Sequence, residues 1–205
     1  MARVEQFQVG PMANFAYVLG CEETRVAALI DPCFEPERLA TRAKELGFRV
    51  EWVLNTHGHH DHINGNDRAV ELTGAKVAAH SRAKFHVDRY LHHSDTLRVG
   101  EIAVEVLHTP GHARDSVCLL ADGNLFTGDT LFVGECGRTD LSGSNPRELH
   151  HSLFKVLAAV PDSAAVWPGH DYGPVPSSTM GDERRSNYVL EPRSVEEFVA
   201  FMAEP

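Results

Sequence analysis

Between Asn55 and His62 the chain reads Asn-Thr-His-Gly-His-His-Asp-His, which concentrates imidazoles and a carboxylate in one short run. Imidazole nitrogens and carboxylate oxygens are ligands for divalent first-row metals. In an extended loop His57 and His59, two positions apart, point the same way and can share one ion. Asp61 and His62 then face another direction, so one turn serves two neighbouring cations once other segments complete both shells. Gly58 lets that turn close tightly. An exposed histidine-rich loop is the bland alternative. It explains neither Asp61 at this offset nor the apolar run Trp52-Val53-Leu54 directly before.

Three further segments offer donors, each beside Gly or Pro at the end of an apolar run. His112 follows Thr109-Pro110-Gly111, Asp129 follows Phe126-Thr127-Gly128, and His170 follows Trp167-Pro168-Gly169. Any one alone reads as a surface or hydrogen-bonded core residue. Together with the first run they make a metal site. Of the 13 histidines, the others (His60, His80, His86, His92, His93, His108, His150 and His151) are expected mostly at the surface.

The elements that must position these donors are short. Strands are expected over 4–9, 15–19 and 26–30, the last closed by Asp31-Pro32 at a sheet edge. Residues 37–46 place Leu39, Ala43 and Leu46 on one helical face and stop at Gly47. A strand over 52–54, a helix over 67–73 ending at Gly74, and a strand over 77–80 follow. Ile102, Val104 and Val106 alternate with Ala103 and Glu105, as in a half-buried strand, and strands over 117–120 and 124–127 come next. Asn145-Pro146-Arg147-Glu148 reads as a capping box opening a helix whose Leu149, Leu153, Val156 and Leu157 share a face. Ser194 to Glu197 repeats the capping pattern. Its stripe Phe198, Phe201 and Met202 is assigned to core or to a homodimer contact. The order gives two β-rich halves with helices outside and chemistry at the strand ends.

A chain of 205 residues with 42% hydrophobic and 23% charged residues is expected to form a single globular domain over 1–205. No apolar run approaches the length needed to span a bilayer. Nothing in Met1 to Phe7 reads as an export signal, so a cytoplasmic location without membrane attachment is expected. Cys21, Cys33, Cys118 and Cys136 lack C-x-x-C spacing and read as reduced thiols. A formal charge of -10 argues against nucleic acid as a partner.

In the order His57/His59/Asp61/His62, His112, Asp129, His170, the chain resembles the metallo-β-lactamase superfamily, whose pattern is T-H-x-H-x-D-H, P-G-H, F-T-G-D, P-G-H. The resemblance implies an αββα sandwich (α+β, two mixed sheets face to face with helices outside) with the site at one edge of the sheets. It also implies that His57, His59 and His112 bind one metal, that Asp61, His62 and His170 bind a second, and that Asp129 bridges. Zinc-type β-lactamases commonly lack the bridging carboxylate, which disfavours antibiotic hydrolysis. The segments 126–133 and 136–140, with His170-Asp171-Tyr172, look like the glyoxalase II and persulfide dioxygenase branches. By that likeness Arg138 and Tyr172 bind a glutathione-derived substrate. Arg138 instead forming a structural ion pair with Asp140 or Glu135 is the alternative. Two departures stand out. After Tyr188 the chain is too short for the C-terminal helical domain of glyoxalase II, and 177–187 resembles the ending of shorter members. Ala113-Arg114-Asp115 replaces the small polar turn usual after His112, altering substrate choice or pairing Arg114 with Asp115 at the surface.

The resemblance therefore implies a dinuclear hydrolase, zinc first and iron or manganese next, that cleaves a thioester such as S-(2-hydroxyacyl)glutathione. A metal-bridging hydroxide attacks, with Asp61 and Asp129 as the catalytic carboxylates. The alternative is a mononuclear iron persulfide dioxygenase in which His57, His112 and Asp129 form the metal face. A lactonase and a non-catalytic metal-binding scaffold are the remaining readings.

Overall fold

The strand Asn14–Cys21 is apolar on both faces, and the fold covers both. Phe15, Tyr17, Leu19 and Cys21 enter a core shared with a second sheet, while Ala16 and Val18 join a core on the other side. The computed structural model describes residues 1–204. Its first sheet has six strands in chain order, β1 (Ala2–Val9), β2 (Asn14–Cys21), β3 (Val26–Ile30), β4 (Arg49–Leu54), β5 (Lys76–His80) and β6 (Arg89–Leu91). Pairing is antiparallel from β1 to β3 and parallel from β3 to β6. Helix α1 (Pro36–Glu45) makes the crossover from β3 to β4, and α2 (His60–Ile63) and α3 (Asn66–Thr73) make the one from β4 to β5.

β3 is not at an edge. It lies between β2 and β4 with every residue buried. The Asp31-Pro32 stop turns inward instead of ending at solvent, with Asp31 at φ 46° and buried. Helix α1 ends as expected at Leu46 and at Gly47, which takes φ 75°.

The second sheet begins with an antiparallel meander, β7 (Thr96–Val99), β8 (Ile102–His108), β9 (Val117–Ala121) and β10 (Asn124–Gly128). A small hairpin, β11 (Leu131–Phe132) and β12 (Glu135–Cys136), and helix α4 (Pro146–His151) precede β13 (Ala165–Pro168), which returns parallel to β10. β14 (Ser178–Thr179), α5 (Met180–Ser186) and α6 (Val195–Phe201) complete the chain, and the sheet order is β14-β13-β10-β9-β8-β7. Leu19, Ile30, Leu97, Val104 and Phe126 fill the space between the sheets. Leu39, Ala43 and Ala69 attach α1 and α3 to one outer face, and Leu149 and Phe198 attach α4 and α6 to the other. The result is an αββα sandwich.

Two local expectations change. Asn145 caps α4 by accepting from the N–H groups of Arg147 and Glu148, but the reciprocal half of a capping box does not form. Its own N–H already donates to the Gly111 carbonyl at 2.7 Å. The expected continuous helix also widens into a π turn over Ser152–Val156 and tightens into a 3-10 turn over Leu157–Ala159, which leaves Val156 only partly buried. By contrast the Ser194/Glu197 box is complete, and Phe198 is wholly buried in the chain's own core. All four cysteines are free and buried. Among the described residues no helix is long and apolar enough to cross a membrane.

Candidate metal centre

β4, β8, β10 and β13 end at the same rim of the sandwich, and the loops leaving them converge. The loop after β4 carries His57 and His59 and then closes into α2, which carries Asp61 and His62. The turn after β10 brings Asp129 under them. Gly128 there takes φ 48°, and a Cβ on it would stand 2.5 Å from Thr56 Oγ1, so only glycine fits. After β13, Gly169 passes so near that a Cβ would lie 2.3 Å from Asp129 Oδ1, and His170 follows. His112 arrives on the turn between β8 and β9.

The donors form three overlapping groups whose ligand atoms lie within 4.8 Å of one another: His57/His59/His112, His57/His62/Asp129 and Asp61/His62/His170. All but Asp61 and His59 are buried. The surroundings decide which nitrogen of each ring faces inward. His112 Nδ1 donates to the Arg138 carbonyl at 3.0 Å, and His170 Nδ1 to the Met12 carbonyl at 2.9 Å. His62 Nδ1 donates to Asp31 at 3.0 Å. Thr56 gives its hydroxyl proton to Asp31 at 2.6 Å, so its oxygen accepts from His57 Nδ1 at 3.2 Å. In its neutral form each of these rings is thereby left with Nε2 as the free nitrogen, aimed into the centre.

Those inward nitrogens crowd one another. His62 Nε2 and His170 Nε2 are 3.2 Å apart, and His59 Nδ1 stands 3.0 Å from His57 Nε2 and 2.9 Å from His112 Nε2. Lone pairs at that separation repel unless a cation or proton lies between them. Asp129 Oδ1 is buried without a hydrogen-bond partner, a state that is unfavourable unless a cation meets it. The donor set therefore fits divalent metal ions. Burial and neighbouring charge set the protonation of these rings. Burial first, then neighbouring imidazoles, holds His57 well below the ordinary histidine range and lowers His59, which keeps both neutral. His62, opposed by burial, is raised to about 9 by Asp129 and Asp31. Against burial, His170 is raised too by Asp129, so without an ion these two rings favour a proton on Nε2, which an incoming cation must displace.

The two expected substrate contacts fare differently. Tyr172 stacks on His170 with ring centroids 4.7 Å apart and is 54% exposed, so its face covers one end of the centre. Arg138 lies exposed at the rim and its guanidinium is paired with Asp140, while its carbonyl holds His112. That ion pair is the structural alternative raised above. Arg114 and Asp115 do not pair with each other among the described residues. Asp115 is turned back against Gly58, and Arg114 lines a cavity beside His59. His80 and His150 are core rather than surface: His80 stacks on His108 at 3.9 Å, and His150 lies 5.4 Å from Phe198.

Two residues that sequence reasoning missed support the centre. Asp31 accepts from Thr56 and His62 beneath it, and Asn14 donates from Nδ2 to Asp61 Oδ2 at 3.0 Å. The one available signal for Asp31 was an acid placed directly after a wholly apolar strand.

Residues 9–170 match the family model described as the metallo-beta-lactamase superfamily. The chain is 40% identical over 166 residues to the hydroxyacylglutathione hydrolase of Polaromonas sp. (strain JS666), covering 78% of this chain and 62% of that relative. It is 36% identical over 196 residues to the mitochondrial persulfide dioxygenase ETHE1 of Homo sapiens, covering 92% of this chain and 76% of the other. The crystal structure of ETHE1 from Myxococcus xanthus superposes with a TM-score of 0.93 at 35% identity, over 99% of this chain and 92% of that one.

Proposed function

Given that the chain belongs to the metallo-beta-lactamase superfamily, we propose that it is a thioester hydrolase with two divalent ions, acting on an S-acyl derivative of glutathione such as an S-(2-hydroxyacyl)glutathione. One observation carries this reading: Asp61, His62 and His170 form a complete second donor group beside His57, His59 and His112, with Asp129 between them. Asp129 Oδ1 lies 3.3 Å from His62 Nε2, and Oδ2 lies 3.4 Å from both His112 Nε2 and His170 Nε2. His57, His59 and His112 would hold one ion, Asp61, His62 and His170 the other, and Asp129 both. Zinc suits this imidazole and carboxylate set, and iron and manganese are accepted by the same donors.

When bound, the ions would supply a hydroxide nucleophile at neutral pH and polarise a thioester carbonyl. Asp61, whose Oδ2 accepts from the Asn14 amide, would take the proton of the attacking water. Oxygen adds to the acyl carbon, the carbon–sulfur bond breaks, and the thiol leaves as a thiolate, so no dedicated general acid is required. Tyr172 shields the His170 end from solvent and offers its hydroxyl to the thiol-bearing arm. Arg138 reaches that arm only by exchanging its Asp140 partner.

A single-iron persulfide dioxygenase is the second reading, supported by likeness to the Myxococcus xanthus ETHE1 structure along the chain. Metal content per chain separates the two, measured after loading with zinc and, without air, with iron. Two ions, together with loss of the thioester band of an S-acyl glutathione, are expected. One iron that excess metal does not raise to two, with oxygen uptake on glutathione persulfide, selects the dioxygenase.

A further inference from the structure

Beside His59 the surface sinks into a cavity of about 800 Å³, walled in part by Gly58, Arg82, Lys84, Arg114 and Glu148. It opens at the His57/His59/His112 end of the centre, whereas Tyr172 stands over His170 at the opposite end. A substrate laid across the centre therefore has one arm on each side.

Charge marks the cavity side. In a chain with 29 acidic and 19 basic residues, most arginines are engaged in ion pairs, as Arg68 is with Glu37 and Arg193 with Glu191. Among the described residues Arg82, Lys84 and Arg114 are in none, nor are Arg89, Arg98, Lys44, Lys76 and Lys155, but it is Arg82, Lys84 and Arg114 that gather on this one cavity. The acids on its wall leave a cationic excess. Asp115 folds back on the loop, where a Cβ on Gly58 would stand 2.8 Å from its Oδ2, and Glu148 belongs to the first turn of α4. The Arg114 backbone is anchored by His108 Nε2 donating to its carbonyl at 3.0 Å, and its side chain runs alongside Gly143.

We propose that this cavity receives the acyl arm of the thioester, and that Arg82, Lys84 and Arg114 select acyl groups ending in an anion, a carboxylate or a phosphate. The assignment rests on the thioester reading above. Three unpaired cations around a concavity focus positive potential in an otherwise acidic protein. Guanidinium forks match either oxyanion with paired hydrogen bonds, and the lysine adds a flexible charge.

The test uses the metal-loaded protein and three non-hydrolysable thioethers: S-(3-carboxypropyl)glutathione, S-(3-phosphonopropyl)glutathione and S-butylglutathione. Calorimetric titration is expected to show at least one anionic ligand binding about tenfold tighter than the butyl ligand. The tighter of the two identifies the anion. The ratio is expected to fall to about one in the Arg82→Ala/Lys84→Ala/Arg114→Ala variant, and to shrink with rising salt. Lys84→Glu alone, at an exposed position, moves it the same way, while Arg114→Lys retains most of it. Equal binding of all three ligands, no binding of any, or a preference that survives the triple variant overturns the assignment. Turnover of succinyl- against butyrylglutathione separates the two claims. Preferential binding without cleavage of either thioester removes the hydrolase reading and keeps the cavity; equal cleavage of both, with no binding preference, does the reverse.

Discussion

Asp31 belongs to none of the donor groups, yet it orients two of their rings. Its carboxylate accepts from Thr56 N at 2.8 Å, from Thr56 Oγ1 and from His62 Nδ1, and through Thr56 it sets which nitrogen of His57 faces inward. Asp31→Asn keeps the size and tolerates the positive φ, but it loses the charge and puts a donor where two donors already point. Metal affinity is expected to fall about 10- to 100-fold, the usual effect of losing such a partner. Competition against a chromophoric chelator measures it, and an unchanged affinity would remove Asp31 from its positioning role. At this scale the ligand-type side chains stood out in the sequence because imidazoles and an acid follow Pro-Gly turns or strand ends. Their partners did not. An acid before proline is an ordinary strand stop, Asn14 resembles any loop amide, and the Arg138–Asp140 pair depends on a rotamer that no spacing encodes.

Among the elements, α4 depends on its first turn, because the chain leaves the α conformation after His151. The Asn145 side chain satisfies two of the exposed N–H groups there, and Asn145→Ala is expected to lower stability by about 1 kcal/mol. Chemical denaturation of the two proteins reads the difference. A second element-scale effect sits where β5, β6 and β8 meet the loops. His80, at the end of β5, is brought down to about 4 by burial, then by His108, Arg82 and His92. Because the folded chain takes up this proton later than the unfolded chain, His80 leaves stability intact above pH 6.5 and erodes it as pH falls toward 4. Denaturation measured between pH 7 and 4 is expected to fall less steeply in His80→Gln, which keeps an acceptor for the Arg82 N–H; parallel curves would exclude His80. Elements with a clear period were readable beforehand, including α1, α3, β2, β8 and the Ser194 cap. β6, β11, β12 and β14 were not, since two or three residues show no period. Nor was α5, whose Met-Gly-Asp-Glu-Arg-Arg-Ser has no apolar stripe and is set by the Thr179 cap and by Glu183, which accepts from Gly134 N and Ser178.

For the whole molecule, the crowded nitrogens and the unpartnered Asp129 oxygen mean that a bound ion relieves repulsion present in the folded chain alone. A site filled at a hundredfold excess over its Kd adds about 2.7 kcal/mol. At about 2–4 °C per kcal/mol for a chain of this size, dialysis against chelator is expected to lower Tm by about 5–10 °C for each ion removed, recovered on adding zinc. Calorimetry before and after dialysis checks this, and identical midpoints would mean that the site is not metal-loaded. The two sheets draw on separate stretches of chain, β1 to β6 before His92 and β7 to β14 after Asp95, with an exposed turn between. Each donor group takes two members from the first stretch and one from the second: His112, Asp129 or His170. An ion in any group is thus a rivet driven through both half-molecules. A protein nicked at 92–95 is expected to separate at lower denaturant in chelator than in zinc, the shared core between the sheets supplying the rest of the hold, so metal uptake reports the docking of two halves.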